Sequence, residues 1–356
     1  MDNVTHAAIG VGVFATYMTM GVEPTSTPVV AATCIAAVLG AEAPDVDIIF
    51  QYIGGPIPYL YQHRQISHSF PLWFFYALAS GLIVDLFVPG HFWLYTALAF
   101  VGVLTHVGTD MLTSYGTQAF WPISSTRWRG DVLFVVEPIY IILFIIGFAL
   151  IEYGSAFNWT VWVLDLVAVG YTLWRTLIRL WLGSDMRRYV RQYGDPRSAK
   201  WRLTPTLFPV LHGYKYVVQI GDHFHFGSFD WRGRAHEESR LKSEHSPAVE
   251  FALRHSKVGK ALARFSPMLL AQMESDGQWV VVRLADATVR YFDRLPFSGV
   301  VDLLPTVHGD YALVQEGLRA QPVDIQKLWH DTFSPVGERA VPQIPSPRGY
   351  RSKSRV

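Results

Sequence analysis

Positive charge is almost missing from the first half of this chain. Of its 30 lysines and arginines, only Arg64, Arg127 and Arg129 come before residue 175. Charged residues make up 17% of the 356 residues, against roughly 25% in an ordinary soluble protein. A water-exposed domain needs more charge than the first half has. The composition therefore excludes a disordered chain, a coiled coil and a single soluble globule. The net charge of +1 gives no sign of a nucleic-acid partner, and the one cysteine, Cys34, excludes a disulfide framework and a cysteine-rich zinc module.

Six apolar runs fill the first half, the first five without Lys or Arg: Val4 to Met20, Pro28 to Ala43, Pro71 to Val88, Phe92 to His106, Leu133 to Ile151, and Trp159 to Leu182, which holds Arg175 and Arg179. A membrane span takes about 20 apolar residues. The third, fifth and sixth meet that length; the first, second and fourth are short enough to be buried or re-entrant helices. The first run has no basic n-region and carries His6, so it reads as a retained helix and not as a signal peptide. Small residues in the second run (Ala31, Ala32, Ala36, Ala37, Gly40) suit close helix contact in lipid.

The three early arginines fall in the connections 44–70 and 107–132, and a further basic cluster (Arg187, Arg188, Arg191, Arg197, Lys200, Arg202) follows the sixth run. Basic residues stay on the cytoplasmic side. The expected arrangement is a multi-pass plasma (inner) membrane protein with both termini and both long connections in the cytoplasm.

From about residue 183 the pattern changes. Tyr214–Ile220, His223–Phe229 and Trp279–Leu284 read as strands, Thr288–Phe292 as a hairpin partner of Trp279–Leu284, and Ala248–Phe265 as one helix. The fold class expected is an all-α polytopic membrane domain over 1–182, followed by a small soluble α+β domain over 183–335. A Pro/Arg-rich disordered tail occupies 336–356.

Ionisable residues in a membrane half are costly and need a reason to be there. On this topology His6, Asp45, Asp47, His63, Arg64, His68, His106, Asp110, Asp131 and Glu137 all lie at the cytoplasmic ends of helices or in cytoplasmic connections. His106 and Asp110 are four apart, on one helix face if the helix continues through them. Asp45 and Asp47 repel each other unless a cation lies nearby, although such a pair also serves as a cap and turn. His63, Arg64 and His68 supply two imidazoles and a guanidinium. Histidines and carboxylates without cysteine match a zinc or two-metal hydrolase site, with manganese or iron as alternatives. The candidate ligands are His6, Asp45, His63, His68, His106, Asp110 and Glu137. Asp45 or Asp47 is the candidate general base, and Arg64 the candidate phosphate holder. In the second half His223 and His225 form another possible metal pair, for which an aromatic-rich strand face is the preferred account.

Four blocks carry a resemblance: Thr5-His6-Ala7; Gly40 through Asp47; His63-Arg64-Gln65-Ile66-Ser67-His68-Ser69; and His106 through Gly116, with Trp121-Pro122 downstream. Together they resemble the YdjM-like family of membrane-bound metal-dependent hydrolases, over roughly residues 1–182. The set is also distantly similar to zinc-dependent phospholipase C, whose order of His, Asp, His and His-x-x-x-Asp it follows; the later histidines and the His-x-x-x-Glu of that pattern have no counterpart here. The resemblance implies one or two divalent ions and hydrolysis of a phosphoester, such as a phospholipid or lipid-linked headgroup. The alternatives are a metal- or ion-binding transporter, and a non-catalytic anchor for a regulatory soluble domain.

Overall fold

A computed structural model describes residues 1–21, 26–62, 64–151, 158–191, 199–207, 213–230, 232–275, 278–290, 295–307 and 309–320. The chain divides into two compact units, one of residues 1–49 with 62–179, the other of residues 50–61 with 180 onward.

Each of the six apolar runs forms a helix: α1 (Asn3–Met18), α2 (Thr27–Glu42), α5 (Phe70–Phe87), α6 (Phe92–Leu112), α7 (Pro138–Ile151) and α8 (Asn158–Arg191). Two short helices, α3 (Ile49–Gly54) and α4 (Pro56–Gln62), lie between α2 and α5. Among the described residues, four helical stretches are long and apolar enough to cross a membrane: Thr27–Gly54, Phe70–Phe87, Phe92–Leu112 and Asn158–Arg191.

Three lengths differ from expectation; the sixth run's helix continues past Leu182 to Arg191 and has 34 residues. The fifth run keeps only 14 helical residues. Its first part is diverted: the Val132 and Leu133 amides donate to the Leu112 carbonyl at 2.8 and 3.0 Å, and the Phe134 amide donates to the Glu137 carboxylate at 2.7 Å. Pro138, which lacks an amide hydrogen, then starts the helix. The fourth run, expected to be short, continues to Leu112 and reaches 21 residues.

Helices α2 and α6 approach backbone to backbone. A Cβ on Gly40 would lie 2.1 Å from the Ala99 carbonyl oxygen, and one on Gly102 would lie 2.5 Å from that of Ala37. Only glycine allows this crossing, the small-residue packing that lipid-embedded helices use in place of a hydrophobic driving force.

The second unit contains two antiparallel four-stranded meanders. The first is β1 (Ala199–Pro205), β2 (Tyr214–Ile220), β3 (His223–Phe229) and β4 (Ala235–Lys242); the second is β5 (Leu269–Ser275), β6 (Val280–Asp286), β7 (Phe297–Pro305) and β8 (Tyr311–Ala320). Val217, Phe224 and Phe226 from the first meander share a core with Leu270 and Ala285 from the second. Glu238 on β4 lies 2.6 Å from Lys215 and 2.8 Å from Arg290. Burial alone would raise its carboxyl pKa, but the two cations outweigh it and hold the group at about 2.

Two expectations change here. Thr288 and the residues up to Arg290 do not form a strand; the Thr288 hydroxyl and amide both bond to the Asp286 carboxylate in a turn, and β6 pairs with β5 and β7 instead. Residues 291–294 lie outside the described residues. The single helix expected over Ala248–Phe265 is two, α9 (Pro247–His255) and α10 (Lys257–Phe265). Ser256 separates them with an extended backbone, and its hydroxyl accepts from the Gly259 amide at 2.7 Å as the cap of α10. The expected tail at 336–356 lies outside the described residues.

Candidate metal centre

The continuation of α6 sets the site. It puts His106 and Asp110 one turn apart on the same buried face. After α2 the chain tightens into a 3-10 turn (Ala43–Ile48) that brings Asp45 and Asp47 back toward α6, and a second 3-10 turn (Ile66–His68) delivers His68 just before α5. One donor atom from each of Asp45, His68, His106 and Asp110 converges, all four within 4.8 Å of one another.

The pairwise distances are short and similar. His68 Nε2 lies 3.2 Å from His106 Nε2, 3.2 Å from Asp110 Oδ2 and 3.5 Å from Asp45 Oδ1. His106 Nε2 lies 3.6 Å from Asp45 Oδ1 and 3.7 Å from Asp110 Oδ2. Four ligands at about 2.0–2.1 Å around a tetrahedral zinc are separated by roughly 3.3–3.4 Å. These five separations, 3.2–3.7 Å, lie close to that figure.

The hydrogen-bond network assigns the imidazole tautomers. His106 Nδ1 donates to the Ala41 carbonyl at 2.5 Å, a contact the Gly40–Gly102 crossing makes possible. Ser67 Oγ donates to Asp47 Oδ2 at 2.7 Å and thus accepts from His68 Nδ1 at 2.9 Å. Both Nε2 lone pairs then face the convergence point together with two carboxylates. Asp45 Oδ1 is buried there without a hydrogen-bond partner. Lone pairs and anions this close repel unless a cation lies among them, so the donor set fits a divalent ion of the zinc class.

Asp110 divides its oxygens. Oδ2 faces the histidines, while Oδ1 is 3.0 Å from Arg64 Nη2, 3.5 Å from His6 Nε2, and in contact with the Met1 amine. The His6 ring stacks on that of His106, with centroids 3.6 Å apart. Arg64 is buried and has a left-handed backbone, φ 59°. Its amide donates to Asp47 Oδ2 at 3.1 Å, and its carbonyl accepts from the Gln118 amide, also at 3.1 Å. These bonds hold a conformation that costs a non-glycine residue roughly 1–2 kcal/mol.

The other candidates fall elsewhere. His63 lies outside the described residues. Glu137 accepts from the Phe134 amide and the Tyr171 hydroxyl, each at 2.7 Å, and pairs with Arg175 at 3.3 Å. Asp131 is 3.6 Å from Arg179. In the second unit His223 pairs with Asp222 at 2.7 Å and His225 with Glu237 at 3.2 Å, two separate carboxylates. Two contributions were not assigned from the sequence: the bond from the Ser67 hydroxyl to Asp47, and the Ala41 carbonyl that accepts from His106. Residue type does not say which group a serine hydroxyl will bond, and a backbone carbonyl leaves no trace in it.

The sequence model of the YdjM inner membrane protein family matches residues 1–182, the part that carries all four converging donors. The chain belongs to that family. It is similar to the uncharacterised protein YfhP of Bacillus subtilis (strain 168), with 31% identity over 320 residues, covering 85% of this chain and 91% of that protein. No solved structure is matched. Family and apolar helices together place this YdjM family member in a membrane.

Proposed function

We propose that this YdjM family member is a membrane-embedded, metal-dependent hydrolase acting on a phosphoester, such as a phospholipid or lipid-linked headgroup. The observation that carries this reading is the convergence of two imidazole Nε2 atoms and two carboxylate oxygens, with both Nδ1 atoms committed elsewhere. His68, His106 and Asp110 have fully buried side chains and are the firm ligands; Asp45, 11% exposed, stands at the open edge. A divalent cation in this position would supply Lewis-acid charge and lower the pKa of water toward neutrality.

The chain's own residues supply the rest. Asp45 serves as fourth ligand or as the base that takes a proton from water at the open edge. Asp47 orients His68 through Ser67. Arg64, beside Asp110, is the cation for a phosphate oxygen. Zinc is the ion favoured by the donor mix and spacing, with manganese and iron as alternatives; the four donors support one ion. The donors come from the ends of α2 and α6 and the turn before α5, not from helix midpoints. That favours hydrolysis at the membrane surface over transport, where ligands sit near the midplane.

Elemental analysis of the detergent-purified protein tests this. About one zinc, manganese or iron per chain is expected, lost in His68→Ala and Asp110→Ala together with phosphoesterase activity. Protein without metal, or variants with full hydrolytic activity, would refute it.

A further inference from the structure

Residues of α1, α6, α7 and α8, all within the first compact unit, line a groove of about 260 Å³. One wall is the stripe Thr105, Gly108, Thr109 and Leu112 of α6, the i, i+3, i+4 and i+7 positions of a single helix face. Thr105 and Thr109 stand one residue before His106 and Asp110, about 100° round the same helix. The groove and the candidate metal centre therefore occupy the same turns of α6 on neighbouring faces. The groove's innermost residues, Ile9, Tyr140 and Ala168, are buried in a core with Val132 and Leu133.

Four of the lining residues carry hydroxyls, and each hydroxyl is committed inside the protein. Thr105 donates to the Gly102 carbonyl at 2.8 Å, Thr109 to the Thr105 carbonyl at 2.9 Å and Thr172 to the Ala168 carbonyl at 2.8 Å, while Tyr140 bonds to Thr172. No hydroxyl proton is left for an occupant, so the lining offers carbon, which suits neither water nor a headgroup. Size decides among apolar occupants. One turn of a helix, about 10 Å across and about 5.4 Å high, takes roughly 400 Å³. A helix from a second copy is too thick to enter; an acyl chain is not. The groove is open at Gly108, where an added Cβ would meet nothing within 4 Å, and at Val169, which is 55% exposed. Both lie on α6 and α8, helices long and apolar enough to span a membrane. The medium outside is then lipid chain, as apolar as the lining, and an unfilled groove would forfeit dispersion contacts along its walls.

We propose that this groove is a binding site for one lipid acyl chain. A chain seated along Thr105, Gly108 and Thr109 holds its lipid beside the turns of α6 that carry His106 and Asp110, and so selects a chain-bearing substrate. The selection of substrate rests on the hydrolase reading above; the chain site does not.

Photocrosslinking tests the site without metal or turnover. Full-length protein is reconstituted in phosphatidylethanolamine/phosphatidylglycerol vesicles containing phosphatidylcholine with a diazirine in one acyl chain. Adducts are located by mass spectrometry. In the wild type they are expected on the buried groove residues Ile9, Tyr140 and Ala168 as well as on Leu82 of α5, an exposed reference for bulk lipid. Gly108→Leu, which grows a side chain into the groove, should reduce the groove adducts severalfold and leave those on Leu82 unchanged. Gly170→Leu is the control: that position on α8 has equally open space and does not line the groove, so both sets of adducts should persist. Absence of groove adducts in the wild type overturns the proposal and points to a closed or protein-covered groove. Groove adducts of equal yield in wild type and Gly108→Leu overturn it too. Groove adducts in protein that binds no metal would refute the hydrolase reading and leave the chain site standing.

Discussion

At the scale of the residue, the site depends on which atom of each side chain is already committed. His68 is held by a relay, Asp47 to Ser67 to His68 Nδ1, that leaves Nε2 for the cluster. Partners behind a metal ligand fix its ring and raise its basicity, and their loss typically costs 10–100-fold in affinity. Ser67→Ala is accordingly expected to weaken metal binding by about 10–100-fold while leaving the four ligands in place. Competition with a chelator on purified protein measures this; wild-type affinity in Ser67→Ala would show that the relay does not position His68. Candidate ligands were legible in the sequence because His and Asp are rare in apolar runs. Their sorting was not. Glu137 is likewise a carboxylate at a helix end, yet Arg175, 38 residues away, claims it.

At the scale of the element, two glycines act at a distance from the candidate metal centre. Gly40 and Gly102 let α2 and α6 touch, and that contact sets the reach from His106 to the Ala41 carbonyl. Gly40→Val or Gly102→Val would force the helices apart, at a cost of about 1–3 kcal/mol or more for overpacking, and metal content should fall with thermal stability. Gly108 lies on the same helix with nothing within 4 Å of its would-be Cβ. Gly108→Ala should be neutral or stabilising by up to ~1 kcal/mol. Equal melting temperatures and metal content for Gly40→Val and Gly108→Ala would show that the crossing does not control the site. Helix existence followed from hydropathy for all six runs. Helix ends did not, because they depend on distant partners: the Leu112 carbonyl withdraws residues 132 and 133 from α7. The same holds for Thr288, whose β-branched type suits a strand but whose hydroxyl is held by Asp286.

At the scale of the whole molecule, the arginines of the connections 44–70 and 107–132 argue for one orientation. In a Cys34→Ala background, a membrane-impermeant maleimide should label Thr126→Cys from the cytoplasmic face only and Pro89→Cys from the opposite face only. Both positions are exposed. The reverse pattern would move the metal centre to the other side of the membrane and remove cytoplasmic lipid headgroups as its substrates.

The sequence alone determined that the first half belongs in a membrane, that its apolar runs form helices, and that rare His and Asp residues gather near particular helix ends. Those conclusions rest on composition and run length, which are properties of neighbouring residues. Only the tertiary structure decided which of those residues meet. Asp45, His68, His106 and Asp110 come from separate stretches of chain up to 65 residues apart, and they converge because two glycines on different helices let the backbones touch. Close approach between distant segments leaves no local pattern in residue type, so spacing could propose the ligands but could not select them.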